Sequence, residues 1–309
     1  MSVRGRNRFG ATPAASVAAA VAVLAWSAAP AEAQAVCSAP HSSPTLAQSG
    51  EIRTLPAGAG WLQVSLYGQH ASELFDPLGD RQPFSLAGQE FDTRSVFVTA
   101  AVGLVPGLEV WAQVPTHKLS ISGAGRPGTS STGVGDVRVA ARLSPALFGV
   151  DLPFAVRVGA KVPGSDFPVD ATVVPLSEGQ TDLEVSLESG RTLGSLPLYV
   201  VGWVGYRWRS ENVSVAREPG DERYAHAAVG GLVRDFSWEV AADGLWGGIP
   251  YAQGIPLQTD RRRLIQLLPT VGYGIGPGRL EVTGQIPLAG RNLPAAVGLS
   301  AGYRVTWGI

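Results

Sequence analysis

Through most of the chain, apolar and polar residues alternate one for one. In the last nine residues, AGYRVTWGI, Ala301, Tyr303, Val305, Trp307 and Ile309 share one parity, and Gly302, Arg304, Thr306 and Gly308 share the other. Side chains of a strand point to opposite faces with period two, so this run predicts a strand with one apolar, aromatic face. The same alternation marks VRVAARL (Val137 to Leu143), FAVRVGAKV (Phe154 to Val162), DLEVSLESGRTL (Asp182 to Leu193) and LYVVGWVGYRWR (Leu198 to Arg209). It also marks FSWEVAADGLW (Phe236 to Trp246) and RLEVTG (Arg279 to Gly284), and more weakly 61–70, 94–104, 108–114, 223–233 and 264–274. That makes twelve candidate strands. Helical periodicity is scarcely visible.

The predicted connections alternate in length. Short ones lie at 105–107, 144–151, 193–197, 234–236 and 276–278. Long ones, rich in Gly, Pro, Ser and Asp, lie at about 71–92, 115–133, 163–180, 210–222 and 248–262, with a shorter sixth at 288–293. Short turns at one rim and long loops at the other are a feature of transmembrane barrels. No stretch after residue 35 approaches 18 consecutive apolar residues, so any membrane crossing is made by strands. Strands satisfy their backbone in lipid only when closed into a barrel. The predicted fold is therefore all-β: a transmembrane antiparallel up-and-down β-barrel of about twelve strands. The aromatics fit this, since Tyr206, Trp208 and Trp246 lie toward the long-loop ends of their strands and Trp238, Tyr303 and Trp307 toward the short-turn ends. Rings at both ends suit two interfacial girdles. The terminal strand resembles the C-terminal signal read by the barrel-assembly machinery of the outer membrane, although it ends on Ile309 where Phe is common.

The N-terminal segment supplies the route. Arg4, Arg6 and Arg8 precede the apolar run Ala14 to Trp26, and small residues with A-x-A sites follow at 31–35. This predicts a cleaved signal peptide over 1–33, a periplasmic N-terminal segment over 34–59 and a barrel over 60–309, in a bacterial outer membrane. Cys37 is the only cysteine, so no disulfide framework exists. Gln34-Ala35-Val36 before it lacks a lipobox pattern, and an inert thiol is expected. Without residues 1–33 the balance is 24 − 3 = 21 basic against 25 − 1 = 24 acidic groups. That gives no basic face for nucleic acid.

With the apolar parity in lipid, the other parity faces the lumen. It carries Arg138, Arg142, Arg157, Lys161 and Arg207 together with Asp182, Glu184, Glu188, Glu239 and Asp243, and also Glu109, Glu281 and Arg304. Such charges either line a selective, water-filled pore or pair with one another to fill a narrow barrel. Neither sign dominates, which favours pairing, with the acids of 182–188 meeting arginines such as Arg207 and Arg209. In Leu198–Arg209 this parity predicts that 199, 201 and 203 are reached from water and that 200, 202 and 204 are shielded. The histidines are scattered, and no spacing compels a catalytic, metal or cofactor site. Arg261-Arg262-Arg263, at the outer end of a loop, is either a solvated run or a contact for lipopolysaccharide phosphates.

Between 130 and 235 the sequence is more specific. It reads GVGDVRVAARL, LPFAVRVGAKVPGSD, PLSEGQTDLEVSLESGRTL and PLYVVGWVGYRWR, followed by PGDERY. The order G-x-G-D, K-x-P-x-x-D, G-Q-T-D-L and G-Y-R-x-R resembles the outer-membrane transporter family named for the meta-cleavage pathway of phenol degradation. Gly164-Ser165-Asp166 departs from the Thr-Gly-Asp that members often carry. The resemblance implies an outer-membrane barrel that passes small organic molecules, hydrophobic or aromatic ones among them. The alternatives are a structural barrel with a plugged lumen and an outer-membrane enzyme.

Overall fold

The computed structural model describes residues 54–308, apart from 85–87, 124–127, 169–172 and 195–196. The expected signal peptide, Cys37 and most of the expected periplasmic segment lie outside the described residues. Twelve strands form the wall: β1 Gly60–Ala71, β2 Glu90–Val105, β3 Leu108–Ser122, β4 in two pieces (Thr129–Val134 and Val137–Leu143), β5 Phe154–Val162 and β6 Asp182–Thr192. The other half is β7 Leu198–Arg209, β8 Glu222–Val233, β9 Phe236–Gly247, β10 Arg263–Ile275, β11 Gly278–Arg291 and β12 Gly298–Trp307. Each pairs antiparallel with its chain neighbours, and β1 also pairs with β12, from Gly60↔Trp307 to Gln69↔Gly298. The sheet is closed. The twelve-stranded barrel read from the alternation is the fold of the molecule.

The apolar parity lies outside. Val98, Val114, Val158, Leu183, Leu187, Val204 and Leu299 are each 42–59% exposed, and their chain neighbours on the other face are largely buried. A continuous exposed band of this kind is stable against hydrocarbon, not water. Inside, the packing is closer than the sequence suggested. Tyr199, Val201 and Trp203 point inward but are only 5–7% exposed, in a cluster with Ala155, Tyr224, Ala228 and Ala241. The expected ready access of 199, 201 and 203 to water is therefore corrected. Cysteines at 200, 202 and 204 should react with a bilayer-soluble maleimide, and cysteines at 199, 201 and 203 should react slowly with any reagent. Fast labelling of the odd set would contradict the packed interior.

Two expected loops also shorten: β11 runs through Arg291 and takes most of the loop expected at 288–293, and the loop expected at 115–133 is largely strand. Residues 115–122 and 129–134 belong to strands, paired Thr116↔Val134 through Ile121↔Thr129. The alternation persists there as far as Leu119, but the outward residues Thr116 and Lys118 are polar, so the segment rises beyond the apolar band and its strand signal is weak. β4 breaks at Gly135-Asp136, where the Gly135 N–H donates to the carbonyl of Pro115 (3.1 Å). Pro115 has no N–H to return, which interrupts a ladder. At the long-loop end, Glu73–Phe75, Arg81–Pro83 and Leu293–Pro294 form one small sheet, and Arg217–Glu218, Tyr251–Ala252 and Ile255–Pro256 form another. At the short-turn end, residues 54–59 tuck into the barrel and do not trail away from it. Leu55 is fully buried, beside Trp61, Ala101, Trp111 and Ala140.

Candidate functional site: the barrel lumen

The inner parity carries the charges, and they meet in two layers on one side of the barrel. Near the short turns, Arg142 on β4 donates from Nε to Glu188 on β6 (2.7 Å) and lies 3.4 Å from Glu109 on β3. Arg157 on β5 reaches the other oxygen of Glu188 at 3.3 Å. The Leu55 N–H donates to Glu109 (2.9 Å), tying the N-terminal segment to this layer. Arg142 and Arg157 face each other in register. Glu188→Ala would leave two buried guanidiniums side by side, a loss of about 3–5 kcal/mol. The variant should therefore unfold at clearly lower temperature or urea in a gel-shift assay, and unchanged resistance would show the layer to be solvated.

The second layer lies near the long loops. Lys161 on β5 sits 3.1 Å from Asp136 and 3.0 Å from Asp182. Arg209 on β7 reaches Asp182 (3.3 Å) and Glu222 on β8 (3.0 Å), and Arg207 reaches Glu184 (3.0 Å) and Glu222 (2.7 Å). Arg138 is buried on the same face of β4. The centre of this layer comes from a loop. Residues 173–181 fold inward, with Val174, Ser177 and Gln180 only 2–3% exposed. Glu178 bonds Lys161, Arg209 (2.5 Å) and Arg262 (3.3 Å), while Ser177 donates to Asp136 (2.5 Å). Gly133 and Gly135 leave room for the inward loop: a Cβ on Gly133 would lie 2.9 Å from the Leu176 side chain, and one on Gly135 would lie 2.3 Å from His117. Burial opposes ionisation of Glu178, but Arg209 and Lys161 prevail and hold its carboxyl well below the usual carboxylate range. Each layer is balanced. Glu109 and Glu188 face Arg142 and Arg157, and Asp136, Glu178, Asp182, Glu184 and Glu222 face Arg138, Lys161, Arg207, Arg209 and Arg262.

The opposite wall is different. On β9–β12 and β1 the inward residues include Gln63, Ser65, Leu268, Thr270, Thr283 and Ser300, all partly exposed, whereas those of β3–β8 are almost wholly buried. The more accessible part of the inner face thus lies on a mostly uncharged wall, although Trp61, Tyr67, Ala241, Gln285 and Arg304 on it are buried as well. Its charges are few. Glu281 pairs with Arg304, Glu239 accepts from the Tyr199 hydroxyl (2.9 Å), and Asp243 bonds His226 (2.5 Å), whose ring stacks on Trp203 at 3.6 Å.

Similarities follow the fold. No protein-family model and no curated protein matches the sequence. Among solved structures the chain is similar to an outer membrane channel from Pseudomonas putida F1, with a TM-score of 0.67 at 18% identity over 82% of this chain and 97% of that one. The beta domain of the Bordetella autotransporter BrkA gives 0.48 at 13% identity, over 81% and 100% of the two chains. The toluene transporter TbuX of Ralstonia pickettii gives 0.43 at 10%, over 81% and 90%. The architecture is that of outer-membrane barrels.

Every inner-face candidate named from the sequence is on the inner parity. Tyr206, Trp208 and Trp246 are on the outer surface near the long loops, and Trp238, Tyr303 and Trp307 are on it near the short turns. The pieces G-x-G-D, K-x-P, G-Q-T-D-L and G-Y-R-x-R, spread over residues 133–209, converge: Asp136, Lys161, Asp182, Arg207 and Arg209 form one ion cluster around Glu178. Sequence reasoning gave no inward role to Asp136, Glu178 and Glu222 and read Arg262 as an outer loop charge, whereas it turns inward to Glu178 and Glu222; all four sit in loops or at strand ends where parity gives no direction. It also missed the buried Ser95–His117 bond (2.7 Å), which needs the β2–β3 register. Among the described residues no group of His, Cys, Asp and Glu is placed to hold a metal ion.

Proposed function

We propose that this protein is a channel of the bacterial outer membrane for small uncharged organic molecules, hydrophobic and aromatic ones among them. The observation that carries the reading is the two-sided lumen: paired, buried charges on one wall and partly exposed Ser, Thr, Gln and Leu on the other. Self-neutralised charges leave little net field to attract an ion. A narrow uncharged slot penalises a solute that must shed its hydration shell. Hydroxyl and amide groups along Gln63, Thr270, Thr283 and Ser300 can exchange hydrogen bonds with a neutral solute. The convergence of the motif residues on one cluster supports membership of the transporter family named for phenol degradation. Comparing uptake of a panel of aromatic compounds by cells with and without the protein tests the solute class. Uptake that ignores the protein for every compound would refute it.

A second reading, a structural barrel with a plugged lumen, draws on a specific observation. The Leu55 segment and the Glu178 loop enter the barrel from opposite ends. Planar-bilayer recording separates the two, since a sealed barrel gives no discrete openings.

A further inference from the structure

The register at the long-loop end assembles a row that no single stretch of sequence displays. Tyr206 pairs with Arg223, Arg223 with Trp246, Trp246 with Arg263, and Arg263 with Arg291. All five are on the outward face of five adjacent strands, opposite in parity to the inward Arg207 and Glu222. The run Arg261-Arg262-Arg263 is thereby split three ways. Arg261 is exposed in the loop, Arg262 turns inward to Glu178 and Glu222, and Arg263 turns outward.

Three features set this row apart from ordinary surface charge. Arg263 and Arg291 are direct cross-strand neighbours, and like charges so placed repel. Both are partly buried, and the Nε of each is enclosed with no hydrogen-bond partner among the described residues. An enclosed guanidinium N–H without an acceptor is costly. Lastly, the carboxylate of Asp221, next to Arg223 in the chain, is engaged elsewhere, accepting from the Tyr206 hydroxyl (2.8 Å) and from the Arg209 N–H (2.8 Å). The surface just below is apolar, with Val204 59% and Leu288 58% exposed.

We infer that Arg223, Arg263 and Arg291 form a binding site for the phosphorylated headgroup of an outer-leaflet lipid, with its acyl chains on the apolar surface below. From β8 to β11 the row spans three strand spacings, about 14 Å. Guanidinium forks bind phosphate with two parallel hydrogen bonds, and a phosphate between Arg263 and Arg291 would offset their mutual repulsion. Trp246 and Tyr206 stand at the same height, where amphipathic rings favour the boundary between acyl chains and headgroups. A water-soluble acidic protein would not match the apolar surface beneath the row. A free phosphate ion would not need it.

Native mass spectrometry of the full barrel in mild detergent tests the site, titrated with diphosphorylated lipid A and with the same lipid after phosphatase treatment. Binding to the combined variant Arg223→Gln, Arg263→Gln, Arg291→Gln should be weaker by about tenfold or more. A control carrying Arg234→Gln and Arg261→Gln should bind as the unaltered protein does, and heat modifiability verifies folding of each. Dephosphorylated lipid should bind the unaltered barrel no better than the intact lipid binds the triple variant. That arm needs no mutation and stands if the variant fails to fold. Equal affinity for phosphorylated and dephosphorylated lipid, or equal affinity of the triple variant and the control, would overturn the assignment. The assay reads lipid retention alone, so a barrel that proves non-conducting leaves the result intact.

Discussion

Replacing Trp307 with Asp is expected to cut folded barrel in the outer membrane by about tenfold or more, a factor that one to two kcal/mol already supplies, while Thr306→Asp accumulates normally. The two residues are adjacent but face opposite ways. Trp307 lies on the outer surface in register with Gly60 of the first strand. Its ring covers Gly60 so closely that a Cβ there would lie 2.2 Å from a ring carbon. Its Nε1 donates to the carbonyl of Gly58 (3.2 Å). The side chain therefore clasps the seam where the last strand meets the first. Burying such a ring contributes on the order of 2–3 kcal/mol. A carboxylate near the membrane rim costs less than one at the midplane, so lost closure accounts for most of the expected defect. Thr306 is on the inner parity at an exposed strand end and loses nothing comparable. Equal amounts of heat-modifiable protein from both variants would show that Trp307 does not hold the seam.

The second large effect is expected at Glu178. Its carboxylate is the shared acceptor of Lys161, Arg209 and Arg262, and its backbone carbonyl accepts from Asn212 (2.9 Å). Glu178→Ala removes the pin that holds residues 173–181 in the lumen and leaves its layer with one uncompensated positive charge. Single-channel conductance should rise severalfold, with the reversal potential shifting toward anions. Glu178→Gln keeps the volume but not the charge, and should give the anion shift with a smaller rise. The pH dependence follows from the sign of the shift. A carboxyl with a depressed folded pKa adds stability above its unfolded value, about 4.3, and loses it only as pH falls through the folded value. Conductance should therefore hold its neutral value down to about pH 4 and rise only in stronger acid. A rise between pH 7 and 5 would contradict the pairing.

Much of this was legible in the sequence, because a barrel wall obeys one rule along its length. Alternation in segments such as Leu198–Arg209 states which residues share a face, and the contrast between valines and charges states which face meets lipid. The rule fails where one of its premises fails. Above the apolar band, the outward positions Thr116 and Lys118 are polar, so strand and loop look alike in composition. In loops, period two carries no direction, so nothing in PLSEGQ says that Glu178 turns inward. Cross-strand partners depend on register, which a single sequence does not contain. Arg223, Arg263 and Arg291 are 40 and 28 residues apart and are brought into one row only through three pairings. Close packing inside the barrel was equally hidden, since alternation predicts an inner face but not whether that face is wet.

The central claim is that the lumen conducts along its uncharged wall and gives ions little preference. Swelling of liposomes containing the purified barrel tests it directly, with three osmolytes of matched size: a neutral polyol, a carboxylate and an amine. The neutral solute should enter clearly faster than in protein-free liposomes, with both charged analogues close to background. Entry of one charged analogue ahead of the neutral solute, or no swelling with any of the three, would contradict the account.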